Sequence, residues 1–217
     1  APGGAVRRFV ATSATRDARN REDFVAGVRR LLGIEPEVVS GQEEARLSFS
    51  GSLLGALGAE GAEVQGRAGR VPAPRLVVDL GGGSTELVLG VDAPSAAISL
   101  DTGSVRITER FLSASDPPSG RDIEAARSFA RESFSVAIAK EHILEKKPAL
   151  LVVTGGTATS LVALEKKLEP YDATQVHRSV LPRERVDAMV AKLAALTVEE
   201  RAALPGIQAK RAPVILA

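Results

Sequence analysis

The sequence contains no cysteine and no tryptophan. Without cysteine the chain has no disulfide, no thiolate nucleophile and no thiolate-bound zinc. An aromatic content of 3% argues against the stacking surfaces that bind single-stranded nucleic acids, and a net charge of +1 predicts neither a nucleic-acid partner nor a membrane partner. No apolar run approaches the roughly 18 residues of a membrane span, and the N-terminus has no signal-peptide apolar core. We therefore expect a cytoplasmic protein.

Several well-defined catalytic motifs are also missing. There is no G-x-x-x-x-G-K-[ST], which excludes a P-loop NTPase, and no G-x-G-x-x-G follows a strand pattern. The G-x-S-x-G elbow of serine hydrolases is absent as well. The two histidines, His142 and His177, are isolated and are typical of surface or packing positions. By elimination, activation of a water molecule near neutral pH would be the task of a carboxylate.

Short apolar segments alternate with helical patterns, which predicts an α/β fold with a parallel or mixed sheet. The N-terminal elements are a strand over residues 9–12, a helix between Asn20 and Gly33, a strand in EPEVVSG, and a helix that begins after Ser40. The helix after Ser40 is indicated by a capping box, in which Glu43 stands three residues beyond the capping serine.

The remaining elements are predicted from apolar runs, glycine turns and caps. They are a strand–turn–strand in RLVVDLGGGSTELVLG, an extended stretch in SAAISLDTGSVRITERF with a turn at Asp101–Gly103, a long helix capped by Ser119, a strand–turn–helix in ALLVVTGGTATSLVALEKKL, helices that begin at Pro182 and Thr197, and an apolar strand beginning in APVILA. Residues 58–74, rich in glycine and charge, are typical of a surface loop. In an open sheet, the two glycine turns would lie at one edge and face one cleft.

The three consecutive glycines at 81–83 need an explanation, because a glycine inside an element costs roughly 0.5–1 kcal/mol relative to alanine. One interpretation is a plain tight hairpin. The other is a cradle of backbone amides for a phosphate group, to which Ser84 and Thr85 add hydroxyls. The flanking Asp79 and Glu86 favour the second interpretation if a hard cation such as Mg²⁺ bridges the carboxylates and the anion.

Two charged side chains have a functional and an ordinary interpretation. The capping box gives Glu43 a local role, whereas Glu44 has none and points about 100° away around the helix axis. Glu44 is either a general base or an ordinary acid in a helical first turn. Arg16, just past a strand end, either clamps a phosphate with two hydrogen bonds or forms a surface ion pair.

Four stretches of this sequence resemble one known family. They are ATSATRDARN followed by EVVSGQEEARLSFSG, then VVDLGGGSTELVLG, then VVTGGTATSLVAL, and finally the late VH, ERAALPGI and KRAPVILA. They resemble the exopolyphosphatase and guanosine pentaphosphate phosphatase family, in its short actinobacterial form. The resemblance extends over nearly all of residues 6–217. It implies a ribonuclease-H-like fold of the sugar kinase, heat-shock 70 and actin superfamily, in which two α/β domains close over a cleft. Residues 1–42 would belong to an incomplete first domain and residues 43–217 to the second.

The resemblance also implies the chemistry and the site. Members hydrolyse the terminal phosphate of inorganic polyphosphate, or the 5′ phosphate of pppGpp, with Mg²⁺. By motif, Glu44 would be the catalytic base and Asp79 and Glu86 candidate metal ligands. The phosphate-binding residues would be Arg16, Gly81, Gly82, Gly83, Ser84, Thr85, Gly155, Gly156 and Thr157.

Several expectations accompany this assignment. Family members begin with a strand and a first phosphate-binding turn before ATSA, and they continue with a glycine turn and a helix after VILA. We expect residues 1–217 alone to show weak or no turnover without these parts. A homodimer is possible, as it occurs in the family. A non-catalytic module that binds polyphosphate or an alarmone, and a kinase of the same superfamily, are the rival functions.

Overall fold

The computed structural model describes residues 8–57 and 72–217. The strands are β1 (Val10–Ala11), β2 (Glu37–Val38), β3 (Arg75–Leu80), β4 (Thr85–Gly90), β5 (Pro94–Leu100) and β6 (Leu150–Thr154). The α-helices are α1 (Ser13–Arg16), α2 (Arg21–Leu32), α3 (Gly41–Leu57), α4 (Ser104–Ile107), α5 (Gly120–Lys140), α6 (Gly156–Lys166), α7 (Ala173–Val176), α8 (Arg183–Ala194) and α9 (Val198–Ala202). Residues 58–71 of the predicted loop lie outside the described residues.

The described strands form two sheets. The larger sheet has four strands in the order β5-β4-β3-β6, and the smaller sheet is the parallel pair β1-β2. In the larger sheet β3 runs antiparallel to β4 and parallel to β6, while β4 and β5 are antiparallel. The α/β fold with a mixed sheet, predicted from alternating strand and helix patterns, is therefore confirmed.

The larger sheet lies between two helical layers, because alternate side chains of a strand point to opposite faces. On one face Ala45 and Phe49 of α3 pack against Val77 and Val88. On the other face Leu87 packs with residues from the end of α5 and just beyond it. A fully buried valine, leucine or phenylalanine contributes about 1.5–3 kcal/mol through removal of its apolar surface from water. The first of these contact layers holds α3, and with it Glu44, against the sheet.

The predicted helix caps are mostly confirmed. Ser119 and Thr197 accept backbone N–H bonds at the starts of α5 and α9, and Thr197 forms a complete capping box with Glu200. The Ser40 hydroxyl accepts the N–H of Glu43 at 3.2 Å. Asn20 precedes α2, but its side chain makes no capping hydrogen bond.

The second half of one predicted extended segment and the predicted C-terminal strand are wrong, whereas the first half of SAAISLDTGSVRITERF forms β5 as expected. After β5 the chain turns into α4 and then a π-helical turn, Thr108–Leu112. The VRIT sequence favours a strand, but the N–H groups of Ser104 and Val105 donate to the carbonyls of Gly81 and Gly82 at 3.0 and 2.9 Å, which begins a helix instead. The C-terminal APVILA forms successive turns whose buried Ala212 and Ile215 join the core between α6 and α8.

Membrane insertion through a helix finds no support in the described residues. Across residues 8–57 and 72–217, no helix is both long enough and apolar enough to span a bilayer.

Candidate functional site

The three glycines form the tight connection between β3 and β4. The N–H of Gly81 donates to the carbonyl of Ser84 at 3.0 Å. A Cβ on Gly81 would lie 2.8 Å from the Ser84 oxygen, one on Gly82 3.2 Å from Val105 Cγ2, and one on Gly83 2.8 Å from Ser13 Oγ. None of the three has a positive φ. Glycine is therefore needed here for close approach of neighbouring groups rather than for left-handed backbone geometry.

The carbonyls of this turn are occupied by the protein. Those of Gly81 and Gly82 accept amides from the start of α4, and the Gly83 carbonyl accepts Arg106 Nε at 2.6 Å. Among residues 8–57 and 72–217, no protein acceptor binds the N–H groups of Gly82 and Gly83. Unpaired amides at successive residues are the groups that backbone anion sites use. The turn can therefore offer N–H donors to a phosphate oxygen.

The two hydroxyl residues after the glycines are buried. Ser84 and Thr85 are each 1% exposed. The Thr85 hydroxyl donates to the carbonyl of Thr102, and the Ser84 hydroxyl hydrogen-bonds to Glu86. Both side chains thus have protein partners, and their binding of a phosphate stays a prediction.

A polar row crosses the larger sheet next to the glycine turn. Asp79 on β3 lies opposite Glu86 on β4, and Glu86 lies opposite Ser99 on β5. Thr154 on β6 lies opposite Asp79. All four residues share the sheet face on which α3 packs, because they stand two positions from its contacts Val77, Val88, Ala97 and Val152.

Serine hydroxyls hold both carboxylates of this row. Ser48 Oγ on α3 donates to Asp79 Oδ2 at 2.5 Å, and Ser99 Oγ donates to Glu86 Oε1 at 2.8 Å. These hydrogen bonds satisfy part of the lone-pair capacity of each carboxylate and fix its orientation. The predicted metal ligands therefore lie side by side with defined positions.

The pKa of Glu86 is raised above its ordinary value. Burial of this side chain, which is 1% exposed, is the main cause, and the negative charges of Glu44 and Asp79 raise the pKa further. Hydrogen bonds from Ser84 and Ser99 oppose the shift. Glu86 is thus close enough to Glu44 and Asp79 to be repelled by both, and a cation bound here would favour the charged form of Glu86.

Glu44 lies in the first turn of α3 and faces Arg16. Glu44 Oε2 stands 3.6 Å from Arg16 Nη1, which is an ion pair but too long for a hydrogen bond. The same nitrogen of Arg16 donates to the Val39 carbonyl at 2.9 Å. Glu44 Oε2 is buried and has no hydrogen-bond partner within the described residues. A buried carboxylate oxygen without a donor requires an explanation, and acceptance of a proton from a bound water is one.

The second glycine turn adjoins the first. The parallel strands β3 and β6 end at the same edge. Gly155 has φ +97° and touches the Leu80 carbonyl, so a side chain there would collide with the end of β3. The Arg211 guanidinium lies directly against Gly156, and Thr157 is buried at the start of α6. The expected proximity of the two turns is confirmed, whereas phosphate binding by these three residues stays a prediction.

An open groove of about 320 Å³ begins at this site. Its lining includes Arg16, Ser99 and the start of α3, and it reaches Lys140 at the end of α5. Its lining includes no residue of the glycine turn, so the groove adjoins the candidate site at Arg16 and Ser99.

Sequence reasoning missed several contributors to the site. Ser48 stands four residues after Glu44 on α3, so helical spacing places both on one face and could have identified it. Ser99, Arg106 and Arg211 gave no such signal. Their positions depend on strand register and on the packing of the chain between distant elements.

Comparison with known proteins agrees with this geometry. The family model described as the Ppx/GppA phosphatase family matches residues 6–217. The chain is 41% identical over 217 residues to Exopolyphosphatase 2 of Mycobacterium tuberculosis, covering 96% of this chain and 62% of that protein. It is 34% identical over 209 residues to Exopolyphosphatase 1 of Mycobacterium leprae, covering 95% of this chain and 57% of the relative.

Solved structures show the same relationship. A crystal structure of an exopolyphosphatase-like protein has a TM-score of 0.80 at 40% identity, covering 96% of this chain and 63% of its own. The Ppx/GppA family member of Aquifex aeolicus has a TM-score of 0.74 at 32% identity, covering 96% and 62% respectively. The chain thus spans a little under two thirds of the length of these relatives.

These likenesses confirm the ribonuclease-H-like, actin-type fold, while the division into domains at residues 42 and 43 stays a prediction. The family match covers all but the first five residues, and the solved relatives align over nearly the whole chain. The chain belongs to the Ppx/GppA phosphatase family.

Proposed function

We propose that this chain carries catalytic groups for hydrolysis of the terminal phosphoanhydride bond of inorganic polyphosphate. The observation that carries the proposal is the buried Oε2 of Glu44, which has no hydrogen-bond partner among the described residues, faces Arg16 and lies near Glu86. The relatives named exopolyphosphatases support the choice of substrate. The groove that leads from Arg16 to Lys140 supports a substrate longer than a single phosphate.

Each group has a role in this proposal. The N–H groups of Gly82 and Gly83 and the guanidinium of Arg16 bind oxygens of the terminal phosphate. Glu44 accepts a proton from a water molecule whose oxygen attacks the terminal phosphorus. The bond from that phosphorus to the bridging oxygen breaks, and the shortened chain leaves with the bridging oxygen. Positioning and charge neutralisation supply most of the rate in phosphoryl transfer.

Asp79 and Glu86 are the proposed ligands of Mg²⁺. Within residues 8–57 and 72–217, no group of three or more histidine, cysteine, aspartate or glutamate side chains is arranged to hold a metal by itself. Mg²⁺ commonly binds through one or two carboxylates, with substrate phosphates and water as its other ligands. The two neighbouring carboxylates fit that pattern, and the bound ion would neutralise charge on the phosphate oxygens.

Phosphate release tests this function. The natural protein, with whatever sequence flanks this chain in its gene, is assayed with Mg²⁺ on polyphosphate and on pppGpp side by side. We expect release from polyphosphate, and a loss of about 10²-fold or more in kcat for Glu44→Gln, since a positioned general base contributes that much. Faster release from pppGpp would favour the pentaphosphate as substrate.

Glu43→Gln is the matched control, because Glu43 lies in the same helical turn and its N–H is held by Ser40. It should keep nearly full activity. A Glu44→Gln variant with the kcat of the wild type would exclude Glu44 as the base, and saturable binding of polyphosphate without release would favour a binding module.

A further inference from the structure

Arg106 connects two parts of the site that are distant in sequence. It lies on α4, and its Nε donates to the Gly83 carbonyl at 2.6 Å. Its Nη2 forms an ion pair and hydrogen bond with Asp17, 89 residues away. A weaker contact of 3.9 Å joins the same nitrogen to Asp101. One guanidinium therefore holds the glycine turn on one side and the end of α1 on the other.

Asp17 is the residue that follows Arg16. Its backbone N–H donates to the Ser13 carbonyl at 3.0 Å, which fixes it to the last turn of α1. Ser13 is itself buried against the glycine turn, where its Oγ leaves no space for a side chain on Gly83. A change in the position of Asp17 therefore changes the position of Arg16, because the two residues are joined by one peptide bond at the end of a short helix.

We propose that Arg106 is a positioning residue that sets the distance between Arg16 and the free amides of Gly82 and Gly83. It acts through Asp17 on one side and through the Gly83 carbonyl on the other. With the Gly83 carbonyl held by Arg106, the turn keeps its unpaired N–H groups on the side where the anion binds. This inference depends on the proposed function, because it assigns a phosphate to those groups.

The ion pair between Arg106 and Asp17 adds little to the stability of the fold. The side chains of Arg106 and Asp17 are 41% and 42% exposed, and exposed ion pairs contribute little to stability because water and salt screen them. A planar guanidinium with several fixed donors can bind two acceptors at a set separation, which the single ammonium of a lysine cannot reproduce. The contact is therefore suited to fixing geometry.

The direction in which Asp17→Asn changes the affinity for phosphate chains distinguishes a positioning role of Arg106 from direct contact with the phosphate. Asp17→Asn removes a negative charge near an anion site, so simple electrostatics predicts tighter binding of phosphate chains. If Arg106 contacts the phosphate directly, the loss of its ion pair with Asp17 also strengthens the binding of phosphate chains. If Arg106 positions Arg16 through Asp17, binding becomes weaker. We expect Asp17→Asn to weaken binding several-fold.

The experiment uses the natural full-length protein and inorganic polyphosphate with Mg²⁺. KM and kcat are measured by phosphate release, and Kd by calorimetry, for Asp17→Asn, Arg106→Gln, Arg106→Lys and the Asp17/Arg106 double variant. We expect Arg106→Gln to raise KM and Kd about tenfold, Arg106→Lys to remain impaired, and the double variant to match Arg106→Gln, because coupled residues are not additive. Thermal midpoints should stay close to that of the wild type.

Asp101→Asn is the matched control, since it removes a charge from the same guanidinium at longer range. It should leave Kd unchanged or slightly lower. Wild-type or tighter binding by Asp17→Asn, or additive losses in the double variant, would overturn the inference. A wild-type protein that binds polyphosphate without releasing phosphate would refute the proposed hydrolysis, while the Kd series would still decide the role of Arg106.

Discussion

Substitution of Gly83 by alanine tests the tight packing between α1 and the glycine turn. The new Cβ would lie 2.8 Å from Ser13 Oγ and 3.4 Å from Ser13 Cβ. Ordinary contact begins near 3.4 Å, so the two groups must separate by about 0.6 Å, a distance at which packed atoms lose a substantial part of their attraction. Ser13 is only 5% exposed, which restricts its freedom to move. We expect a loss of roughly 1–3 kcal/mol in the free energy of unfolding, as for overpacked cores.

A graded series makes this prediction specific. Gly82→Ala meets only a methyl group of Val105 at 3.2 Å, and Val105 is 40% exposed, so its cost should be smaller. Gly120→Ala has no neighbour within 4 Å, and alanine favours a helix over glycine by up to about 1 kcal/mol. This variant should be neutral or more stable. Urea unfolding at one pH and salt concentration gives all three values.

A second substitution at the point of contact supplies the decisive control. Ser13→Ala removes the Oγ atom and leaves the Cβ contact at 3.4 Å, which is acceptable packing. In the Gly83→Ala background it should recover most of the lost free energy of unfolding. A Gly83→Ala protein as stable as the wild type, or no recovery by Ser13→Ala, would refute the steric explanation of this glycine.

Three further predictions concern stability. Burial raises the pKa of Glu86, so the stability that this group contributes is present below its unfolded pKa and is lost as pH rises through its folded pKa. Without added divalent cation, Glu86→Gln should therefore be more stable than the wild type at pH 7–8. Urea unfolding at about pH 4 should show little of that gain. Phe49→Ala should cost about 3–5 kcal/mol in urea unfolding, since Phe49 is fully buried under the sheet; a cost below that of Gly83→Ala would contradict the core assignment. Thr197→Ala should cost about 1 kcal/mol by loss of the capping box on α9, and an unchanged thermal midpoint would show that the cap is not needed.

Local sequence signals predicted much of the fold and the site. Glycines bounded by apolar runs marked the two turns at the sheet edge, and capping serines and threonines marked the starts of α3, α5 and α9. Helical spacing separated Glu44 from the capping residue Glu43. These features depend on residues close in the chain, where propensity and hydrogen-bonding rules apply directly.

One wrong prediction has a tertiary cause and the other has a local cause. The segment after β5 became helical because its first amides find acceptors on the glycine turn, about twenty residues earlier. The C-terminal apolar run was too short for periodicity to distinguish a strand from helical turns. The contact of Ser99 with Glu86 depends on the register of β4 and β5, and the contact of Arg106 with Asp17 depends on the approach of α1. No local sequence pattern encodes either contact. The metal and the phosphate contacts remain proposals.

The placement of Asp79 and Glu86 on paired strands has a mechanical consequence. Directly opposite residues of an antiparallel pair have Cβ atoms only about 4.5–5.5 Å apart, and like charges in such positions are destabilising. The main-chain hydrogen bonds between β3 and β4 set this spacing. The backbone cannot move the two residues apart without breaking those hydrogen bonds. Movement of the backbone therefore cannot relieve the repulsion between these two carboxylates. A change of protonation or the binding of a cation relieves it.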